Sequence, residues 1–150
     1  MNVTGTIEAI LNQKGGGEVW SVTPDATVYE AVALMAEKNV GALVVLEAGQ
    51  LVGIISERDY TRKIMLHGKR SRDTLVREIM STELKTVDLK EGVDDCLVFM
   101  TEKRVRHLPV VVDGKVLGVI SIGDLVKHVI SVQNATLDHL ERYISGGYAS

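Results

Sequence analysis

Two rhythms of apolar positions alternate along this chain. Val28, Ala31, Val32 and Met35 recur every three to four residues, which predicts a helix with one buried face. Thr27-Val28-Tyr29-Glu30 supplies its start, with the spacing of a capping box. Residues 42–46 and 51–55 are nearly unbroken aliphatic runs, which predict strands covered on both faces, joined by a turn at Ala48-Gly49. A short strand over 19–22 precedes the helix, and another helix begins at Ser56. The order then returns. Val93, Cys96, Leu97 and Met100 mark a helix, and residues 108–112 and 115–120 mark two strands. Asp113-Gly114 between those strands is a two-residue hairpin signal, since both turn positions need positive φ. Pro109 has no amide hydrogen to give a ladder, so it belongs at a strand start or an edge.

The return is a repeat in sequence as well as in pattern. Val52-Gly53-Ile54-Ile55-Ser56-Glu57-Arg58-Asp59 recurs as Leu117-Gly118-Val119-Ile120-Ser121-Ile122-Gly123-Asp124, 65 residues on. The same offset joins Val22 to Val87, Val28 to Val93, Met35 to Met100, Val45 to Val110 and Gly49 to Gly114. Each copy is one supersecondary unit that needs the other to bury its apolar face, and two similar halves leave two similar sites. The expected organisation is a helical arm over 1–17, a first repeat over 18–66, a linker over 67–85, a second repeat over 86–130 and a helical tail over 131–150.

Val3, Ile7, Ile10 and Leu11 give the arm its helical spacing, and Gly15-Gly16-Gly17 ends it as a hinge. No Gly-Lys-Ser/Thr follows that triplet, so it is not a phosphate loop. Val76-Arg77-Glu78-Ile79-Met80 is a short apolar turn within the linker. In the tail, Val126, Ile130, Leu137, Leu140 and Ile144 form one stripe, closed by Gly146-Gly147. A helix that long needs a surface to pack on, and a second subunit is the candidate, making the protein a homodimer.

Composition narrows the function. In 150 residues, 45% are hydrophobic but only 4% aromatic, so the core is aliphatic. The net charge of −3 argues against nucleic-acid binding, which calls for a basic face with stacking aromatics. Lys69-Arg70-Ser71-Arg72 is a local basic run, either a solvated linker or a phosphate or partner contact. Cys96 is the only cysteine and lies on a helical apolar stripe, as a buried thiol would. The N-terminus lacks the pattern of a signal peptide, and no apolar run approaches the ~20 residues of a membrane helix. A cytoplasmic protein is expected. His67, His107, His128 and His139 show no metal-ligand spacing, and no catalytic triad or carboxylate pair assembles from motifs, so the chain is expected not to be an enzyme.

The repeated chemistry is Gly-x-x-Ser-x-x-Asp at a strand-to-helix junction. Serine is a good N-cap and an acid three residues on suits the helix dipole, so the motif works as a cap alone. The same geometry can hold a ligand. Helix N-terminal amides and a serine hydroxyl can bind phosphate, and an aspartate can accept ribose hydroxyls.

The Val-Thr-Pro-x-x-Thr-Val lead-in at residues 22–28, His107-Leu108-Pro109-Val110-Val111 and the two Gly-x-x-Ser-x-x-Asp elements together resemble a tandem CBS-domain pair, or Bateman module. The resemblance covers about residues 18–130. It implies an α+β fold of two β-α-β-β-α repeats packed by pseudo-twofold symmetry, with the arm and tail as additions. It also implies clefts between the repeats that bind adenosyl ligands: AMP, ADP, ATP, NAD or S-adenosylmethionine. Carried over, Asp59 and Asp124 hold ribose, and Ser56 and Ser121 hold phosphate. Gly41, Ala42 and Leu43, and His107, Leu108 and Pro109, lie beside adenine, with Thr23 and Thr86 on the cleft wall. Arg58, Arg106 and His107 are the basic residues near the phosphate. Glu57, and the lack of a cation in Ile122-Gly123, favour a mono- or diphosphate. The implied function is an adenine-nucleotide sensor acting through a regulated protein. The alternatives are a dimerisation module with empty clefts, or an NAD sensor.

Overall fold

The computed structural model describes residues 5–15, 19–142 and 144. The chain forms two compact units that cut across the repeats. One takes the arm through residue 15, residues 89–107 and the chain from 120 on; the other takes residues 19–88 and 108–119.

The second of these units carries a three-stranded sheet. β1 (Ser21–Val22) runs parallel to β2 (Ala42–Glu47), which pairs antiparallel with β3 (Gln50–Ser56). Ala48 and Gly49 turn the hairpin at φ 51° and 79°, the double positive φ that matches the twist of the flanking strands. α1 (Ile7–Gln13) belongs to the arm; α2 (Val28–Lys38) is the first-repeat helix. The hydroxyl half of the expected capping box forms, with Thr27 Oγ1 accepting from the Glu30 amide at 3.1 Å. Val28, Ala31 and Met35 of α2 pack with Leu43, Val45 and Ile55 of the sheet and with Ile64, Val76 and Ile79, while Val32 is only half-buried. α3 (Glu57–Asp59) continues as a π-helical turn over Tyr60–Met65. After a 3₁₀ turn at Ser71–Asp73 comes α4 (Val76–Ile79). In the basic run, Arg72 stacks on the Tyr29 ring at 3.8 Å and Arg70 faces Asp73 at 3.4 Å.

Beyond α4, Ser81 and Ile54 exchange backbone hydrogen bonds of 2.9 and 3.0 Å, so the linker lines the outer edge of β3. A Cβ on Gly53 would sit 2.7 Å from Met80 Sδ and 3.0 Å from the Ser81 carbonyl oxygen. The glycine of the first motif thus admits a neighbouring chain segment. β4 (His107–Val112) and β5 (Lys115–Ser121) form the second hairpin, turned by Asp113 and Gly114 at φ 52° and 77°. Val87 bridges Val110 in parallel, the counterpart of Val22 on Val45.

The other unit is helical. α1 and α5 (Val93–Lys103) both pack on α6 (Ile122–Glu141). Ile7, Ile10, Val93, Cys96, Met100, Ile120 and Leu125 are buried, whereas Leu97 is only half-buried. The arm is bound into the fold. The Ile7 amide donates to the Glu91 carbonyl at 3.0 Å and the Val93 amide to the Gly5 carbonyl at 3.1 Å. The linker treats the first repeat the same way: Val28 amide to Thr74 carbonyl and Val76 amide to Ala26 carbonyl, both 2.8 Å. Thr6 therefore stands to Gly92 as Leu75 stands to Thr27. The arm is the lead segment of the first repeat, clasping the helix of the second. Val3 of the arm stripe, Gly16 and Gly17 of the hinge and Gly146-Gly147 lie outside the described residues.

Candidate functional site

Both Ser-x-x-Asp elements close as complete capping boxes. In the first, Ser56 Oγ accepts from the Asp59 amide at 3.3 Å, and Asp59 Oδ2 accepts from the Ser56 amide at 2.9 Å. Ser56 Oγ also lies 3.1 Å from Asp59 Oδ2. In the second, Ser121 Oγ accepts from the Asp124 amide at 3.0 Å and Asp124 Oδ2 from the Ser121 amide at 2.9 Å. A further bond fixes each box to its hairpin. The Glu57 amide donates to the Gly41 carbonyl at 3.0 Å, and the Ile122 amide to the Arg106 carbonyl at 2.9 Å. The entry of each hairpin and the N-terminus of the following helix are thus one assembly, built twice in equal phase.

The two assemblies differ in their cations. Asp59 is buried, and Lys63, one helical turn on, reaches its Oδ1 at 3.1 Å while donating to the Ile79 carbonyl at 2.8 Å. Both carboxylate oxygens of Asp59 are therefore engaged. The position of Lys63 is taken in the second repeat by His128, whose ring Nδ1 lies 3.3 Å from Gln13 Oε1. Asp124 instead meets Lys14, at the end of α1, with Nζ 2.8 Å from Oδ2. Its side chain keeps 23% exposure against 12% for Asp59. The local sequence Ile122-Gly123 offers no cation, so the arm supplies one from 110 positions away.

Arg106 and His107 enter β4 beside this group. Burial pushes His107 below its ordinary value of 6.5; Lys14 and Arg106 add to the effect and Asp124 opposes it. For Asp124, burial favours the neutral acid, but the bonds from Lys14 and Ser121 prevail and hold the carboxyl below 3.8. The group therefore pairs an ionised carboxylate with a lysine, an arginine and a neutral imidazole. It can offer acceptors to hydroxyls and cations to an anion.

The other sequence-selected residues are placed unevenly. Ala42, Leu43, Leu108 and Pro109 are buried, so beside a ligand they present backbone, and Gly41 is half-buried. Arg58 is half-buried on α3. Thr23 and Thr86 are exposed, and no hydrogen bond joins either to a Ser-x-x-Asp element among the described residues. Sequence reasoning missed Lys63 and Lys14. The first had a local signal, a lysine four residues after an aspartate. The second had none.

A Ser-x-x-Asp capping box at a hairpin-to-helix junction, built twice in one chain, defines a tandem-repeat module. The chain matches the CBS domain over residues 17–66 and 76–131, and it belongs to that family as a tandem CBS-domain pair. It is 43% identical to the mitochondrial CBS domain-containing protein CBSX3 of Arabidopsis thaliana, over 95% of this chain and 73% of that one. It is 35% identical to the CBS domain-containing protein YhcV of Bacillus subtilis, over 79% and 84%. Among solved structures, a CBS-domain protein from Burkholderia ambifaria superposes with a TM-score of 0.81 at 45% identity, covering 84% of this chain and 94% of that chain. The α+β architecture of a CBS pair follows from the fold and from this likeness alike.

Proposed function

We propose that this CBS pair is a non-enzymatic sensor that binds an adenine nucleotide at its second Ser-x-x-Asp and acts through a regulated protein. The observation that carries the reading is the group at the start of α6: an ionised, part-exposed Asp124 with Lys14, Arg106 and His107 around it. Ribose hydroxyls would donate to the carboxylate. A phosphate would meet the Ser121 hydroxyl and the cations, and the backbone at His107 would flank the base. AMP or ADP fits the few cations better than ATP; NAD remains the alternative nucleotide. A solved CBS-domain pair of 24% identity and TM-score 0.71 holds 5′-methylthioadenosine and S-adenosylmethionine, which supports the fold as a scaffold for adenosyl compounds. Binding would act by favouring one conformation whose surface a partner reads.

We also read the exposed stripe of α6 as a subunit interface, making the protein a homodimer. A CBS-CP12 protein from cyanobacteria, 29% identical with a TM-score of 0.72, is itself hexameric. The second reading is a dimerisation module with empty sites, favoured by the fact that both aspartates already serve as caps. A thermal-shift panel of AMP, ADP, ATP, NAD, NADH and S-adenosylmethionine separates the two. A ligand at 100 times its dissociation constant adds about 2.7 kcal/mol to stability. Stabilisation by an adenine nucleotide supports the sensor, and a flat response across the panel leaves the scaffold.

A further inference from the structure

We propose that Lys14, carried on the N-terminal arm, is the residue that selects anionic ligands at the second Ser-x-x-Asp, by pairing with the phosphate of a nucleotide whose ribose is held on Asp124. The proposal deepens the adenine-nucleotide reading and rests on it.

The contrast between the two repeats carries the argument. The motif, the hairpin and the capping box are the same in both. Besides the residues inside the motif, the origin of the cation that meets the aspartate differs. Lys63 is held by its own helical turn, bonded at once to Asp59 Oδ1 and to the Ile79 carbonyl. That pair closes the first carboxylate on both oxygens. In the second repeat the equivalent position is His128, turned to Gln13 on the arm. The charge is restored by Lys14, one residue past Gln13 and just before Gly15, which takes φ 83°. Lys14 meets Asp124 at its capping oxygen, Oδ2. Among the described residues no hydrogen bond is made to Oδ1, so that oxygen can accept from ribose while Lys14 keeps its own place.

Lys14 also has the exposure that an incoming anion needs. Its side chain is 42% exposed. An ammonium has three donors, so one can hold Asp124 while another meets a phosphate oxygen. Without Lys14, Arg106 is the cation that the described group would retain to offset Asp124 against a phosphate, since the lowered pKa of His107 leaves its ring neutral at pH 7. Neutral adenosine feels no such charge balance. The arm therefore decides the ligand class, although it lies outside both matched CBS segments.

The test is calorimetric titration of AMP and of adenosine into the full chain and into Lys14→Gln. The pair is exposed enough that the variant should melt within a few degrees of the parent. AMP affinity should fall roughly tenfold or more, the loss expected of a charge-assisted hydrogen bond, and adenosine affinity should stay within about twofold. Lys14→Arg should retain AMP. Equal affinities for AMP in parent and Lys14→Gln overturn the assignment. So does an equal loss for both ligands, which would make Lys14 structural, and so does a gain for adenosine, which would make it a plug. If the parent binds neither ligand, the adenine-nucleotide reading itself fails, and this inference with it.

Discussion

At the scale of single residues, one short motif caps a helix, and under the proposed function the same groups take a second task. Ser121 and Asp124 cap the start of α6, and the same carboxylate could accept from ribose hydroxyls while the serine hydroxyl could donate to a phosphate. Ser121→Ala should lower stability by about 1 kcal/mol through the lost cap, read in chemical denaturation. Acid should weaken the fold in two stages. His107 has its folded pKa lowered below 6.5, so the unfolded chain takes up the proton first. Stability is full above pH 6.5 and falls as pH drops through the lowered value. Asp124 is lowered below 3.8, so its contribution is present above that pH and is lost as pH falls through its folded pKa. Melting temperatures from pH 8 to 3 check this, and His107→Asn should remove the first stage alone.

At the scale of elements, much of the fold is legible because the repeat keeps its phase. The offset that aligns residues also aligns backbone conformation. Asn39 and Arg104 end α2 and α5 at φ 54° and 55°, and both hairpins turn through paired positive φ. Ala48 is the poorest fit, since a β-carbon is strained at that φ and type I′ turns favour Asn-Gly. Ala48→Asn should therefore stabilise the protein by about 0.5–1 kcal/mol, seen as a rise in melting temperature. The arm was not legible in this way. Thr6 matches Leu75 at a separation of 69 rather than 65, because the loops after the two lead segments differ in length. Lys14 was equally hidden: an ion pair across 110 positions leaves no spacing to find. The long separations follow from one fact, that the chain's first helix packs on its last. Ile10→Ala should accordingly cost about 2–5 kcal/mol, as a fully buried core residue would.

At the scale of the whole molecule, α6 and Ile144 beyond its end carry an apolar stripe whose side chains stay exposed. Val126, Ile130, Leu137, Leu140 and Ile144 are 44–66% exposed. Such a face on one helix is a reason to associate. The full chain should sediment as a dimer at micromolar concentration, and truncation after Ile130 should weaken that association. Monomeric full-length protein would remove the interface from the account. Among the described residues no helix is long and apolar enough to cross a membrane. Under the proposed function the second Ser-x-x-Asp is a nucleotide site as well as a cap. The most direct measurement is titration calorimetry of AMP into the full chain and into Asp124→Asn, each first shown to melt cooperatively. Saturable binding to the parent and a loss of roughly tenfold or more in Asp124→Asn are expected. Undiminished binding in a folded Asp124→Asn, or no AMP binding to the parent, would contradict the proposed function.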